Sequence, residues 1–143
     1  MEVNVKIIET TDEKAAVLAI RRTVFIEEQN IPQNIEIDAN EEKANYILAY
    51  VDGQPVGTAR WRETELGIKL ERFAVLPHFR CHGIGKKLTR FILNEMNSQK
   101  SIYLNAQESV IPFYQKCGFQ TVGPKFDEAN GIPHQKMIYL ESE

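Results

Sequence analysis

Residues 71–96 read E-R-F-A-V-L-P-H-F-R-C-H-G-I-G-K-K-L-T-R-F-I-L-N-E-M, which predicts a strand, a turn and a helix in succession. The apolar run Leu70–Leu76 predicts a buried strand, and Pro77 ends it because proline cannot donate to a sheet ladder. The turn over Arg80–Gly85 is rich in glycine. Five apolar residues then recur at helical spacing and form one stripe: Ile84, Leu88, Phe91, Ile92 and Met96.

The turn before this helix has the features of a phosphate-binding site. The first amide groups of a helix have no acceptor inside it, and the helix dipole adds partial positive charge there. Gly83 and Gly85 let a ligand approach the backbone, and Arg80 and Lys86 add cations. These features predict a pyrophosphate cradle, with an ordinary glycine-rich turn as the alternative. The P-loop and dinucleotide motifs do not match, since Arg80 and Leu88 occupy positions where they require glycine.

Composition limits the classes of protein to consider. The 143 residues predict one domain over 1–143, and the net charge of −3 argues against general nucleic-acid binding. No apolar run approaches the ~20 residues of a membrane span, and the start M-E-V-N-V-K lacks the apolar region of a signal peptide. Cys81 and Cys117 form no disulfide framework, so we expect a reduced cytoplasmic protein.

Strand and helix patterns alternate along the rest of the chain. The predicted strands are Val3–Ile8, Tyr46–Val51, Pro55–Arg62, 68–76, Ser101–Ala106, Phe119–Val122 and Gln135–Leu140. The predicted helices begin at the capping box of Thr10 and Glu13, at Ile84 and at Ser109, and end near Glu28, Met96 and Cys117. Residues 29–42 and 123–134 are predicted loops, the first with room for a short helix. Hairpins and crossovers together predict a mixed sheet.

Four segments resemble a known family. R-x-x-G-x-G at Arg80–Gly85, after a strand that ends V-x-P, resembles motif A of the GNAT superfamily of acetyl-CoA-dependent N-acetyltransferases. Q-E-S-V-I-P-F-Y-Q-K-C-G-F at 107–119 is similar to motif B, with Gln107 where the family usually has Asn. V-F-I-E-E-Q-N-I-P at 24–32 and F-D-E-A-N-G-I-P-H at 126–134 resemble a bacterial subgroup of YjcF-like and ElaA-like proteins.

The resemblance implies a fold and a cofactor. The expected fold is α/β of mixed type, with a central, mostly antiparallel twisted sheet and helices on both faces. The strands 68–76 and 101–106 should be a parallel pair that splays apart, and the pantetheine arm of acetyl-CoA should enter the gap. The residues expected to contact the cofactor are Val75, Arg80, Cys81, His82, Gly83, Ile84, Gly85, Lys86 and Gln107.

The resemblance also implies a chemistry, the transfer of an acetyl group to a primary amine by direct attack. Tyr114 is the candidate acid for the leaving thiolate. Glu71 is the candidate base, directly or through water, and strand alternation would place it on the same face as Phe73 and Val75. A sheet glutamate paired with a basic neighbour is the alternative for Glu71, and a packed core tyrosine is the alternative for Tyr114.

Other residues give weaker signals. His134 is either an acceptor contact, a second base or a surface histidine that orders its loop. We expect Cys81 to be a loop cysteine rather than a nucleophile, and no metal site, since the three histidines have no ligand spacing. Acidic residues at 27–42 indicate either a cationic acceptor or a solvated acidic loop.

Three functions are consistent with these patterns. The first is an N-acetyltransferase for a small-molecule or peptide amine. The second is an acyl-CoA sensor without turnover, and the third is a protein-interaction module on the same fold. We expect no nucleic-acid or membrane partner, and the sequence leaves a homodimer open.

Overall fold

The computed structural model describes residues 1–96, 100–129 and 131–140. The strands are β1 (Val3–Ile7), β2 (Asn45–Val51), β3 (Gln54–Thr64), β4 (Gly67–Val75), β5 (Ile102–Gln107), β6 (Phe119–Ala129) and β7 (Ile132–Tyr139). The helices are α1 (Thr11–Arg21), a π-helix (Arg22–Glu28), α2 (Gln33–Glu36), α3 (Ile84–Glu95) and α4 (Ile111–Lys116). Within the described ranges the strands form one seven-stranded sheet in the order β1-β2-β3-β4-β5-β7-β6. The predicted mixed α/β fold is confirmed.

Helices cover both faces of this sheet. On the face called here the α3 face, Leu88 and Ile92 of α3 pack into a core that also contains Tyr114 of α4. On the opposite face, called the α1 face, Val17 of α1 and Phe25 of the π-helix pack against β2 and β4. Each fully buried side chain of this size contributes roughly 1.5–3 kcal/mol relative to exposure, so the two cores hold the helices to the sheet.

The first helix changes character halfway along its length. It begins at the predicted capping box, in which the Glu13 amide donates to Thr10 Oγ1 at 3.1 Å and the Thr10 amide donates to Glu13 Oε1 at 3.0 Å. From Arg22 onward the chain is π-helical, and the Gln29 amide donates to the Val24 carbonyl, five residues back, at 3.1 Å. The predicted end near Glu28 is confirmed, whereas the predicted regular α-helix is wrong over its last seven residues.

The centre of the sheet is split between β4 and β5. These strands run parallel and pair at Ile68–Ile102, Lys69–Tyr103 and Leu70–Leu104, and among the described residues theirs is the one parallel pairing in the sheet. Beyond Leu70 the edge of β4 has no partner on β5, although β4 continues to Val75. The predicted splayed pair is therefore confirmed, and the gap leaves the edge groups of two strands available to a third, extended chain.

A bulge in β4 overturns the predicted placement of Glu71. Arg60 of β3 pairs with Glu71 and Thr58 pairs with Ala74, so Arg72 and Phe73 both lie opposite Ala59. Arg72 has φ of 58°, in the left-handed region, and this extra residue reverses the alternation of side chains. Phe73 packs in the α3-face core, while Glu71 points to the α1 face. The prediction that Glu71 shares a face with Phe73 and Val75 is therefore wrong.

The end of the chain differs from the prediction in two further ways. The predicted loop over residues 123–134 is instead a long hairpin, because β6 extends to Ala129 and β7 begins at Ile132. A register shift between Val122 and Phe126 absorbs Gly123 and the proline after it, which are typical of a loop. The prediction that Ser109 caps the next helix is also wrong, since Ser109 lies in a 3-10 turn and Val110 precedes α4.

Candidate active site

A cavity of about 1050 Å³ opens where β4 and β5 diverge. It runs from the turn before α3, through the gap in the sheet, to the α1 face, where the π-helix and α2 border it. Phe73, Ala106 and Phe113 line the gap, and polar side chains line the end on the α1 face. One continuous space therefore joins the predicted phosphate turn to a polar chamber on the other side of the sheet.

The turn before α3 fits a diphosphate. Gly83 precedes the helix with φ of 79°, and a Cβ added there would meet nothing within 4 Å. In the part of the chain that the structure describes, no backbone carbonyl accepts from the amide groups of residues 82–86. The side chains of Lys86 and Lys87 are exposed beside them. The turn therefore offers what binds a pyrophosphate: free amide donors, space beside a glycine and two cations.

The predicted cofactor residues differ in whether their side chains are buried or exposed. Ile84 is buried in the α3-face core, so its amide rather than its side chain faces the turn. Cys81 is exposed with φ of 66°, and His82 is exposed as well. Gly85 lies against Phe113, since a Cβ there would be 3.3 Å from the ring. Val75 lines the gap, and its carbonyl accepts a hydrogen bond from Arg80 Nε at 2.9 Å.

Arg80 and Gln107 are both bound by the end of the π-helix. The Arg80 guanidinium donates to the two carboxylate oxygens of Glu28 at 2.7 and 2.6 Å. The Gln107 amide donates to the Gln29 side-chain oxygen at 2.8 Å. The consecutive residues Glu28 and Gln29 thus bind both sides of the gap. Glu28 binds Arg80, which lies beyond β4, and Gln29 binds Gln107 at the end of β5. The sequence placed Arg80 and Gln107 beside the cofactor but gave no sign of these partners.

Tyr114 lies at the gap on the α3 face. Its ring makes edge contacts with Phe73, Phe113 and Phe119, with centroids 5.6, 5.0 and 5.9 Å away. Its hydroxyl has no hydrogen-bond partner among the described residues. Every fully buried side-chain oxygen of these residues has a partner, so the Tyr114 oxygen is not fully buried and reaches the cavity. Burial raises the pKa of Tyr114 well above its ordinary value, which keeps the hydroxyl protonated.

Glu71 lines the cavity but is surrounded by cations. Its Oε1 accepts from Arg60 Nε at 3.1 Å and from Arg62 Nε at 2.5 Å, and Lys69 Nζ lies 3.4 Å from Oε2. Burial opposes its ionisation, but the charge of Arg60 and the hydrogen bond from Arg62 outweigh burial and hold the pKa of Glu71 below its ordinary value. This geometry favours the paired sheet glutamate over the proton acceptor.

The acidic residues near α2 do not form a solvated loop. Glu36, Asp38 and Glu41 are bound by arginines, and Arg21 and Arg60 are fully buried between them. Arg21 donates to Glu36 at 3.0 Å and to Glu41 at 2.7 and 2.8 Å. The negative charge of these three residues, which contributed to the suggestion of a cationic acceptor, is therefore neutralised by arginines inside the protein.

A second polar group on the α1 face joins the predicted candidate His134 to Asn105 and Glu128. His134 of β7 is buried, with Nδ1 2.8 Å from the Ile132 carbonyl oxygen. Its Nε2 lies 3.6 Å from Glu128 Oε2, and Asn105 Nδ2 donates to Glu128 Oε1 at 3.1 Å. His134 is thus neither on a loop nor at the surface. Strand alternation from Gln107 was a signal that pointed to Asn105.

Membrane spans and metal clusters are both missing from the described residues. No helix in these ranges is long and apolar enough to cross a membrane. Nor do three or more His, Cys, Asp or Glu side chains of these ranges come together as metal ligands would.

The family of the chain follows from comparison with known proteins. Residues 7–141 match the model of the acetyltransferase (GNAT) domain. The chain therefore belongs to the GNAT family, and its class of activity is that of an acyltransferase.

Two relatives support the same family assignment. The uncharacterized N-acetyltransferase YjcF of Bacillus subtilis strain 168 is 36% identical over 121 residues, which cover 83% of this chain and 86% of YjcF. The protein ElaA of Escherichia coli strain K12 is 31% identical over 126 residues, which cover 83% of this chain and 82% of ElaA. The predicted family and bacterial subgroup are confirmed.

Solved structures have the same fold. The crystal structure of Escherichia coli ElaA superposes with a TM-score of 0.85 at 25% identity, over 97% of this chain and 100% of that one. An aminoglycoside 6'-N-acetyltransferase crystallised with coenzyme A superposes with a TM-score of 0.76 at 18% identity, over 100% and 99% of the two chains. At that identity the second structure shows the shared fold alone.

Proposed function

We propose that the protein transfers an acetyl group from acetyl-CoA to a primary amine by direct attack, without a covalent enzyme intermediate. The observation that carries this proposal is the continuous cavity, which connects open amide donors at residues 82–86 to a polar chamber through a gap between two strands. In this proposal the pyrophosphate binds at Gly83–Lys86, and the pantetheine arm lies along the unpaired edge of β4 as far as Val75.

The two faces of the sheet have different parts in the reaction. The thioester would lie in the gap, with its sulfur toward Tyr114 and its carbonyl carbon open to the α1 face. The Tyr114 hydroxyl then protonates the thiolate as it leaves. Because burial raises the pKa of Tyr114, the hydroxyl is protonated in the free protein and its proton is present when the thioester binds. Glu71 contributes by holding Arg60 and Arg62 at the chamber wall.

Cofactor binding is tested first, by titrating CoA calorimetrically into Gly83→Glu. The change brings a carboxylate into the turn at a backbone φ that disfavours side chains, so affinity should fall at least 10-fold through repulsion. Gly123→Glu is the matched control, because Gly123 has φ of 74° and equally open space but lies on β6. Equal affinity in the two variants, or no CoA binding by the wild type at millimolar concentration, contradicts the proposal.

Turnover is tested by following thiol release from acetyl-CoA against a library of primary amines. Release that depends on the amine, with the acetylated amine identified by mass spectrometry, is the expected result. Tight CoA binding with no release for any amine would instead indicate the acyl-CoA sensor.

A further inference from the structure

A buried imidazole on the α1 face of the cavity is held in one orientation and one tautomer. His134 is 5% exposed and lines the cavity. Because the Ile132 carbonyl can only accept, the 2.8 Å contact requires that Nδ1 carries the hydrogen. The neutral ring therefore has its lone pair on Nε2. Phe126 stacks on the ring with centroids 6.2 Å apart, which restricts its rotation.

The free nitrogen of this ring faces a positioned carboxylate. Glu128 Oε2 lies 3.6 Å from His134 Nε2, and Asn105 holds the other carboxylate oxygen at 3.1 Å. No group in the described part of the chain donates a hydrogen bond to Nε2. A protonated ring would have a charge partner at once, since Glu128 is already oriented toward it.

The contrast with Glu71 decides which group accepts a proton. Three cations lie within 3.4 Å of the Glu71 carboxylate, and they stabilise its charged form. Protonation of Glu71 would forfeit those interactions. Protonation of His134 would instead create an ion pair with Glu128 across the 3.6 Å contact, so His134 is the better-placed base on this face.

We propose that Nε2 of His134 takes the proton of the acceptor amine, with Glu128 as the residue that stabilises the resulting imidazolium. This assignment rests on the acetyl transfer proposed above. The acceptor enters as an ammonium, whose pKa of about 10.4 makes the free amine scarce at neutral pH. A base at the site removes that limit.

The bonds and protons balance in this scheme. One N–H proton passes from the ammonium to Nε2, and the freed nitrogen pair attacks the thioester carbonyl carbon. The carbon–sulfur bond breaks with its electron pair on sulfur, which takes the proton of Tyr114. The nitrogen then loses a second proton as the amide forms, and this proton restores Tyr114 through solvent. His134 releases its proton to water, so each turnover yields one amide, one thiol and one proton.

The charged groups near the ring are few. Glu128 of β6 faces Nε2, and Lys69 of β4 lies 3.9 Å from the Glu128 carboxylate. On β5, the uncharged Gln107 pairs with His134, and Asn105 lies two residues before it. On β7, the Lys136 ammonium lies over the Tyr103 ring at 5.2 Å. Glu128 is therefore the charged group that faces Nε2 of the ring.

The test is the pH profile of kcat/KM for the best amine of the library, measured in the wild type and in His134→Gln. The wild type should rise with slope one at low pH and reach a plateau before the amine itself deprotonates. His134→Gln should be about 10²–10⁴-fold slower at pH 7 and should rise with slope one to the pKa of the amine, where the two profiles converge. His78→Gln is the matched control, because His78 is exposed on the 3-10 turn.

Glu128→Gln supplies a second measurement, since Glu128 is partly exposed and its loss should leave folding intact. The plateau should fall, because the imidazolium loses its charge partner, while CoA affinity stays within a few-fold. A wild-type profile in His134→Gln overturns this assignment alone. A wild type that acetylates no amine overturns the proposed function and this assignment with it.

Discussion

The hydroxyl of Tyr114 is the only polar atom of a side chain that is otherwise packed among three aromatic rings. The hydroxyl reaches the cavity from the α3 face, whereas Glu71 and His134 reach it from the α1 face. In the proposed reaction, proton donation to sulfur and proton removal from nitrogen would thus be separated by the thickness of the sheet. A single group could not do both without crossing the thioester.

Tyr114→Phe removes this hydroxyl and keeps the ring, so packing should survive. We expect kcat to fall about 10–10³-fold with CoA affinity within a few-fold, because the hydroxyl acts in the transition state. Tyr139→Phe, which loses a hydroxyl outside the cavity lining, should retain wild-type kcat. Single-turnover kinetics separate chemistry from product release. A wild-type chemical step in Tyr114→Phe would make it a packing residue only.

Residues were predictable from sequence where the interaction is local. The capping box of Thr10 and Glu13 spans three residues, and its hydrogen bonds are present. Gly118 after α4 has φ of 101°, as a left-handed helix end requires. The partner of Arg80 was not predictable, because Glu28 is 52 residues away and nothing local indicates the pairing.

At the scale of elements, the β4 bulge explains why alternation failed. Period-two reasoning holds only for an uninterrupted ladder, and Arg72 adds one residue with no local mark such as glycine. The same limitation applies to the hairpin of β6 and β7. There the sequence contains loop-forming Gly123, whereas the long pairing with β7 is decided by contacts distant in the chain.

The π-helix end and the phosphate turn share Arg80, so they should compete for it. Glu28→Gln weakens the ion pair with Arg80 and frees the guanidinium for phosphate, so CoA affinity should rise about 2–10-fold at low salt, a gain smaller than the roughly 1.5–3 kcal/mol of a charged hydrogen bond. Glu27→Gln is the control, because Glu27 pairs with Arg22 on the surface. Weaker CoA binding in Glu28→Gln would mean that the ion pair shapes the site rather than competes with the cofactor.

Across the whole molecule, buried arginine–carboxylate pairs join α1, α2, β3 and β4. Arg21 reaches Glu36 and Glu41, and Arg60 reaches Asp38, Glu41 and Glu71. Glu36, Asp38 and Glu71, which line the chamber, are therefore each compensated by a buried arginine. Breaking one such buried pair leaves an uncompensated charge, which costs about 3–5 kcal/mol.

This network predicts how stability depends on pH. Burial opposes ionisation of Glu41 and Asp38, but hydrogen bonds from Arg21 and Arg60 hold the pKa of each below its ordinary value of 4.5 or 3.8. A lowered pKa in the folded state stabilises the fold above the unfolded pKa, and the contribution is lost as pH falls below it. Tm should therefore be level above about pH 5 and fall steeply below pH 4.5.

Glu41→Gln tests the same network. It should lower Tm at pH 7 by roughly 6–12 °C, from about 3 kcal/mol and 2–4 °C per kcal/mol, and flatten the acid limb. Glu42→Gln, at an exposed neighbouring position, should change neither. Equal Tm profiles for the two variants would show that the network contributes little to stability.

The π-helix sets the rotational position of the residues at its end. Its hydrogen bonds span five residues instead of four, so it holds one residue more than an α-helix of the same turns would. If the same residues were wound as an α-helix, the extra residue would rotate the end of the helix by about 100°. Glu28 and Gln29 would then turn away from Arg80 and Gln107, and both sides of the gap would lose their shared anchor. The number of residues in this segment therefore determines how Glu28 and Gln29 are oriented toward the cavity.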